Sequence, residues 1–232
     1  DRITAKDWLL RTAGPQVYEV LWQSLLEGKF GAYHDGVSAA WMWHRLWRVG
    51  TSRSSLLRPD RMGYFDGGAA TLLDALATRA QAAGACITVG CPATALRAST
   101  GRVKAVETAE GELEADAAIL AVPLPVAARL SAEALPDWSR TLDEVPTLGV
   151  VCCLFRLKEH LTPYFWVNIN DRRVQVNGLV EYSNLNQNGR WDSEILYVPM
   201  YVAQDDPRWL WSDEEWAWYF NENLSILWPG FP

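Results

Sequence analysis

The hydrophobic pattern of the chain changes period twice, from helical to mixed and then to alternating. In the first 62 residues apolar positions recur at helical spacing up to Gly50, and Thr51 to Arg61 reads as loop. Thr4 and Asp7 make a capping-box-like start before the run WLLRTAG, and Gly14 offers the stop. Pro15 suits the first turn of a second helix, on which Val17, Val20, Leu21, Ser24 and Leu25 share a face. A third helix starts near Ser38 and carries Trp41, Met42, Leu46 and Val49 before Gly50. These helices form no sheet of their own, so they are expected to pack on something supplied later in the chain.

From Gly63 to Pro123 the pattern is mixed. The opening GYFDGG reads as a short strand and a glycine doublet, followed by a helix with Leu72, Leu73, Leu76, Ala80 and Ala83 at helical spacing. Asp66 and Thr71 are alternative caps for it, and Gly84 suits its end. The run ACITVG (Ala85 to Gly90) then predicts a strand, giving a βαβ-like order. Ala93 to Ala98 and Arg102 to Thr108 alternate about the turn STG, and Glu112 to Asp116 leads into Ala117 to Val122, which is apolar on both faces. That last run reads as a strand inside a covered parallel sheet, ended by Pro123. A parallel sheet carrying a meander, with the small Ala121 at a strand's carboxyl end, is where open α/β sheets place ligands.

Beyond Pro123 the run LPVAARLSAEAL predicts a short helix and Pro136 to Pro146 a connector. Four strands follow: Thr147 to Leu157, Tyr164 to Asn168, Gly178 to Ser183 and Glu194 to Val202, with turns at NDRR and NQNGR that suit an antiparallel sheet. Ser212 and Glu215 form a capping box for a last helix holding Trp216, Tyr219, Phe220, Leu224 and Leu227. Tyr164, Trp166 and Asn168 alternate onto one strand face, as do Tyr197, Pro199 and Tyr201, while Glu181 with Ser183 and Tyr182 with Asn184 take opposite faces. These polar and aromatic positions are the pocket candidates, with core packing as the alternative for each.

Composition narrows the function classes. A net charge of -7 over 232 residues argues against nucleic acid as a partner, which needs clustered Lys and Arg. No apolar run reaches the roughly 18 residues of a spanning helix, although the 13 tryptophans suit lipophilic pockets and wet interfaces and leave peripheral membrane contact open. Cys86, Cys91, Cys152 and Cys153 show no metal spacing and are expected to be buried, reduced residues of a cytoplasmic protein. Arg45, Arg48, Arg53, Arg58 and Arg61 form the one basic neighbourhood, readable as a clamp for an anionic group or as a solvated helix end. His34, His44 and His160 stand apart in sequence, so no metal is expected; no GxSxG occurs, and the acid pairs Asp205–Asp206 and Glu214–Glu215 read as helix-start charges.

The succession GYFDGGAATLLDALATRAQAAG, ITVGCPATAL and GRVKAVETAEGELEADAAILAVP resembles the middle of the flavin-binding domain in the superfamily of flavin-containing amine oxidases, protoporphyrinogen oxidases and phytoene desaturases. The later LGVVCCLFRLKEHLTPYFWVNIND and GLVEYSNLN resemble a bacterial branch of FAD-dependent oxidoreductases. The resemblance implies an α/β (α+β) fold in which the middle part of a FAD-binding domain (63–123) is threaded through a substrate domain of helices (1–62) and an antiparallel sheet with a helix (124–232). It implies FAD in the full-length parent, with Gly67 and Gly68 matching the glycine doublet near the flavin, Ala93 standing beside the adenine where valine is common, and Ala121 and Pro123 matching the strand end beside the dinucleotide.

No GxGxxG occurs in the chain, so the resemblance implies an internal piece of a longer enzyme that is expected to be inactive alone. The catalytic residues are not legible, because a flavin performs the hard chemistry itself. The expected role is to shape a pocket for a lipophilic or amine small molecule over the FAD, with Tyr164, Trp166, Asn168, Tyr182 and Tyr201 as its residues. A flavin-dependent isomerase or mutase and a cofactor-free, Trp-rich module binding a hydrophobic ligand or protein are the alternatives.

Overall fold

The computed structural model describes residues 3–52, 63–185 and 192–231. They divide into two compact units: Asp1–Gly63 with Leu148–Pro232, and Tyr64–Thr147. The first unit is therefore built from two separated pieces of chain, and the second is the segment between them. The division falls at Thr147, so residues 124–147 group with the middle segment rather than with the sheet that follows.

In the first unit, α1 (Ala5–Thr12) starts on Thr4, whose hydroxyl accepts the Asp7 N–H, and the chain turns at Gly14 with φ +85°. The predicted second helix is not uniform. Pro15–Val17 (α2) runs into a π-helical turn over Tyr18–Trp22 before α3 (Gln23–Phe30). That wide turn rotates the buried stripe: Tyr18 and Leu26 are buried with Trp22 packed between them, while Val17, Val20 and Leu21 face out. Val17, Val20 and Leu21 thus lie on the outward side, and an unbroken period of 3.6 does not hold through Tyr18–Trp22. A 3-10 stretch (Gly31–Gly36) leads to α4 (Ala39–Ser52), which runs past Gly50. Ala5, Leu9, Tyr18, Leu26, Val37 and Met42 form a core of their own, on which Phe30 and Trp41 meet edge to face at 4.9 Å.

The second piece of this unit forms a four-stranded antiparallel sheet of β4 (Leu148–Leu157), β5 (Trp166–Asn168), β6 (Gly178–Glu181) and β7 (Glu194–Ala203), in the order β4-β7-β6-β5. β4 and β7 pair along their whole length, from Leu148 opposite Ala203 to Leu157 opposite Glu194. One face of the sheet carries Val151, Cys153 and Phe155 of β4, Leu179 of β6, and Leu196, Val198, Met200 and Val202 of β7 into the core. α8 (Asp213–Leu227) covers that face with Trp216, Phe220 and Leu224, each worth about 1.5–3 kcal/mol on burial. Ser212 and Glu215 make the capping box reciprocally. The helical cover on this face is the C-terminal α8, and α3 of the N-terminal set touches β7. The turn expected at NQNGR lies outside the described residues.

In the middle unit, α5 (Ala69–Ala82) begins after Gly68, and no side chain caps it. Of the two expected caps, Thr71 instead donates its hydroxyl to the Asp66 carbonyl. β1 (Ala93–Ser99), β2 (Arg102–Thr108) and β3 (Gly111–Glu114) form the expected antiparallel meander. α6 (Leu124–Ser131) packs on β1, and residues 136–143, expected as connector, form α7 (Pro136–Asp143) with proline at its first turn. The two helices approach closely through Ala127 and Ala128, and Ser139 donates its hydroxyl to the Ala128 carbonyl at 2.8 Å.

The two expected parallel strands are absent from both sheets among the described residues. Ala85 to Gly90 and Ala117 to Val122 run without strand pairing, leaving Val89 86% and Ile119 95% exposed. Their apolar pattern is that of strands covered on both faces, and the middle unit supplies neither cover nor neighbours. Leu72, Leu73 and Leu76 of α5 stand exposed in the same unit.

Candidate functional site

The face of the four-stranded sheet opposite α8 is lined by Val150, Cys152 and Leu154 on β4 and by Tyr197, Pro199 and Tyr201 on β7, paired directly across the ladder. Val180 lies beside Tyr197, and Trp166 beside Val180. Strand alternation brings Trp166, Tyr197 and Tyr201 together here, because each sits one residue out of register with the core-facing set. Trp166 donates its indole N–H to the Asn168 side-chain oxygen at 2.9 Å, which fixes the ring at the sheet edge. Val150, Leu154 and Trp166 stay exposed, so the face is apolar, aromatic and open within the unit around them, while α3 meets it at Tyr201.

Two of the expected pocket residues leave their strands. β5 starts at Trp166, and Tyr164 lies in the preceding loop. Its N–H donates to the Thr162 hydroxyl and its carbonyl accepts from Asn184, so its backbone groups are satisfied without a ladder. Tyr182 sits in a 3-10 turn (Tyr182–Asn184) beyond β6, yet its ring meets Tyr197 edge to face at 6.2 Å and so borders the open face. Tyr201 is bound from α3: the Lys29 ammonium donates to its hydroxyl at 2.6 Å and stands 4.3 Å from the ring centre. Sequence reasoning missed Lys29, whose partner lies 172 residues away.

His160 is not isolated. Its Nδ1 lies 3.0 Å from Glu181 Oε1 and 3.4 Å from Glu194 Oε2. Glu181, 1% exposed, is the buried carboxylate of the sheet. Among the described residues no group of three or more His, Cys, Asp or Glu could hold a metal ion. The expectation of four buried cysteines is not met: Cys86 and Cys152 are exposed, and Cys91 and Cys153 are half-buried. Cys152 points to the open face and Cys153 to the core, and desolvation raises both thiols above their ordinary range, so neither is a ready thiolate.

In the middle unit the glycine doublet forms the turn into α5, with φ +91° at Gly67 and +83° at Gly68. A Cβ on Gly67 would lie 2.7 Å from the Thr71 hydroxyl, whereas Gly68 has open space around it. Ala93 opens β1, and Ala121 and Pro123 lie exposed before α6. Of the basic neighbourhood, Arg45 lies 5.7 Å over the Trp41 ring on α4 and Arg48 is exposed; Arg53, Arg58 and Arg61 fall outside the described residues.

The sequence model of the flavin containing amine oxidoreductases matches residues 1–225. The chain belongs to that family. No curated protein matches it. Among solved structures, this flavin amine oxidoreductase chain is similar to the "putative protoporphyrinogen oxidase" of Exiguobacterium sp. 255-15, at 19% identity and TM-score 0.69 over 97% of the chain. It is also similar to the PF1083 protein of Pyrococcus furiosus, at 17% identity and TM-score 0.61 over 99% of the chain, and to an oxidoreductase from Methanosarcina mazei, at 22%, 0.56 and 72%. These likenesses are of fold. The chain spans 51%, 55% and 40% of the three, in that order. No helix among the described residues is long and apolar enough to cross a membrane.

Proposed function

We propose that the open face of the four-stranded sheet is the substrate wall of a flavin-dependent oxidoreductase, shaped for a lipophilic or amine-bearing small molecule held against FAD. The observation that carries this reading is the shared face of Val150, Cys152, Leu154, Tyr197, Pro199 and Tyr201, bordered by Trp166 and Tyr182. Such a surface excludes water and presents ring faces and edges to an apolar body or to a cation.

The middle unit fits a flavin dinucleotide. Gly67 and Gly68 give a turn without side chains into a helix start that no side chain caps, which leaves room for a phosphate-bearing group to approach the backbone. Gly67, Gly68, Ala93, Ala121 and Pro123 would hold the cofactor. The bare apolar segments at Val89 and Ile119 fit further parallel strands of the same nucleotide-binding domain, so the chain alone would hold flavin poorly. When bound, FAD would accept the electrons from the substrate; the sheet's part is to orient that substrate and keep water away.

The test is a visible spectrum of the purified intact protein, followed by anaerobic titration with amines, porphyrinogens and polyenes. The reading expects flavin bands that bleach with one of these classes, and an Ile119→Asp variant that purifies with less flavin. A colourless intact protein that gains no bands on adding FAD would overturn it.

A further inference from the structure

We infer that Glu181 is the positioning residue of the proposed substrate wall: its buried carboxylate fixes the loop between β4 and β5 and so sets where Trp166 and Tyr164 stand. This rests on the reading of the open face as a wall.

Glu181 ends β6 on the core side, and the hydrogen bonds to its carboxylate come from one loop. Oε1 accepts the Leu161 N–H at 2.9 Å and faces His160 Nδ1 at 3.0 Å. Oε2 accepts the Thr162 N–H at 2.9 Å and the Thr162 hydroxyl at 3.0 Å. Glu194 is the second acid facing His160 Nδ1.

The loop's carbonyls are claimed from the same side. Asn184 donates to the Thr162 and Tyr164 oxygens at 2.8 and 3.0 Å, and the Glu181 N–H donates to Phe165 O at 2.9 Å. Donors and acceptors of residues 160–165 are thus both held by the end of β6 and the turn after it. Trp166 follows at once as the first residue of β5.

Burying a charge is costly unless donors match it, and here the Leu161 N–H, the Thr162 N–H and the Thr162 hydroxyl do so, so an apolar residue at position 181 would leave those donors unsatisfied. A carboxylate buried among donors therefore serves geometry. A glutamine at position 181 would keep one acceptor and turn its NH2 toward N–H groups, leaving donors unmatched.

Fluorine NMR of the intact protein labelled with fluorotryptophan tests this, with the Trp166 signal assigned by Trp166→Phe. Glu181→Gln is expected to shift and broaden that signal while the signal of Trp216, in the core beneath the sheet, stays in place. Amide exchange over residues 158–166 should accelerate about tenfold with β7 and α8 unchanged. Thr162→Val, which removes one donor and keeps the carboxylate, should move the same signal less. An unmoved Trp166 signal, or exchange accelerated evenly across the sheet, would overturn the inference.

The wall itself is probed with anilinonaphthalenesulfonate. Trp166→Ala and Glu181→Gln should each weaken its binding about fivefold, with no further loss in the double variant. A moved fluorine signal with dye binding indifferent to Trp166→Ala sinks the wall reading and this proposal with it. Dye binding that needs Trp166 while Glu181→Gln leaves the fluorine signal in place sinks only the role of Glu181.

Discussion

The ammonium of Lys29 on α3 donates to the hydroxyl of Tyr201 on β7 at 2.6 Å while standing 4.3 Å from the centre of its ring. This pair joins the two chain pieces of the first unit through a half-buried hydrogen bond to a charged group, which is worth about 1.5–3 kcal/mol in comparable settings. Tyr201→Phe should lower stability by about 1 kcal/mol, and the same change in a Lys29→Met background by much less. Urea midpoints of the four proteins give the coupling; additive losses would show that the contact contributes nothing.

Gly28 reverses an ordinary rule. In a helix interior, Gly→Ala stabilises by about 0.5–1 kcal/mol. Here a Cβ would lie 2.6 Å from Asn177 Cβ, an atom fixed near the backbone, and overpacking of that kind costs about 1–3 kcal/mol. The clash wins, so Gly28→Ala should lower the urea midpoint. A raised midpoint would mean that Asn177 yields freely.

Asp206 gives a pH dependence of definite sign. It caps its own turn by accepting the Arg208 N–H and binds the Arg208 guanidinium at 2.9 and 2.7 Å. Those side-chain bonds hold its carboxyl down at about 2. A depressed carboxyl stabilises the fold above its unfolded value of about 3.9 and loses that contribution as pH falls toward the folded value. The stability gap between the parent and Asp206→Asn should therefore be flat above pH of about 5 and close between about 4 and 2. A gap that persists at the acid end would assign it to packing of Arg208 over Trp216 and Tyr219 instead.

Local signals were the legible ones. The capping box at Ser212 and Glu215, the turn at Gly14 and the alternation along Leu148–Leu157 and Glu194–Ala203 each lie within a few residues and appear as read. What stayed hidden depends on partners. A π turn at Tyr18–Trp22 changes which side of a helix is buried, and nothing in a period-3.6 pattern signals it. Pro136 reads equally as a break or as a first helical residue, and packing against α6 decides for the helix. The apolar runs around Val89 and Ile119 have the composition of buried strands, but pairing is a property of neighbours. At the candidate site, Trp166, Asn168, Tyr197 and Tyr201 followed from alternation alone. Alternation also offered Glu181 as a pocket candidate, but its burial on the core side and its loop partners could not be read, nor could Lys29, since each is defined by partners from 19 to 172 residues away.

The first unit is interrupted by residues 64–147. On the ribosome, α1 to α4 emerge long before β7, so Tyr201 reaches Lys29 only after the 172 residues that separate them have been made. The helices must wait with part of their surface unclaimed, and the middle unit has time to settle first. A cut within residues 64–147 should then leave two fragments that still associate, because the first unit's own contacts bridge the nick.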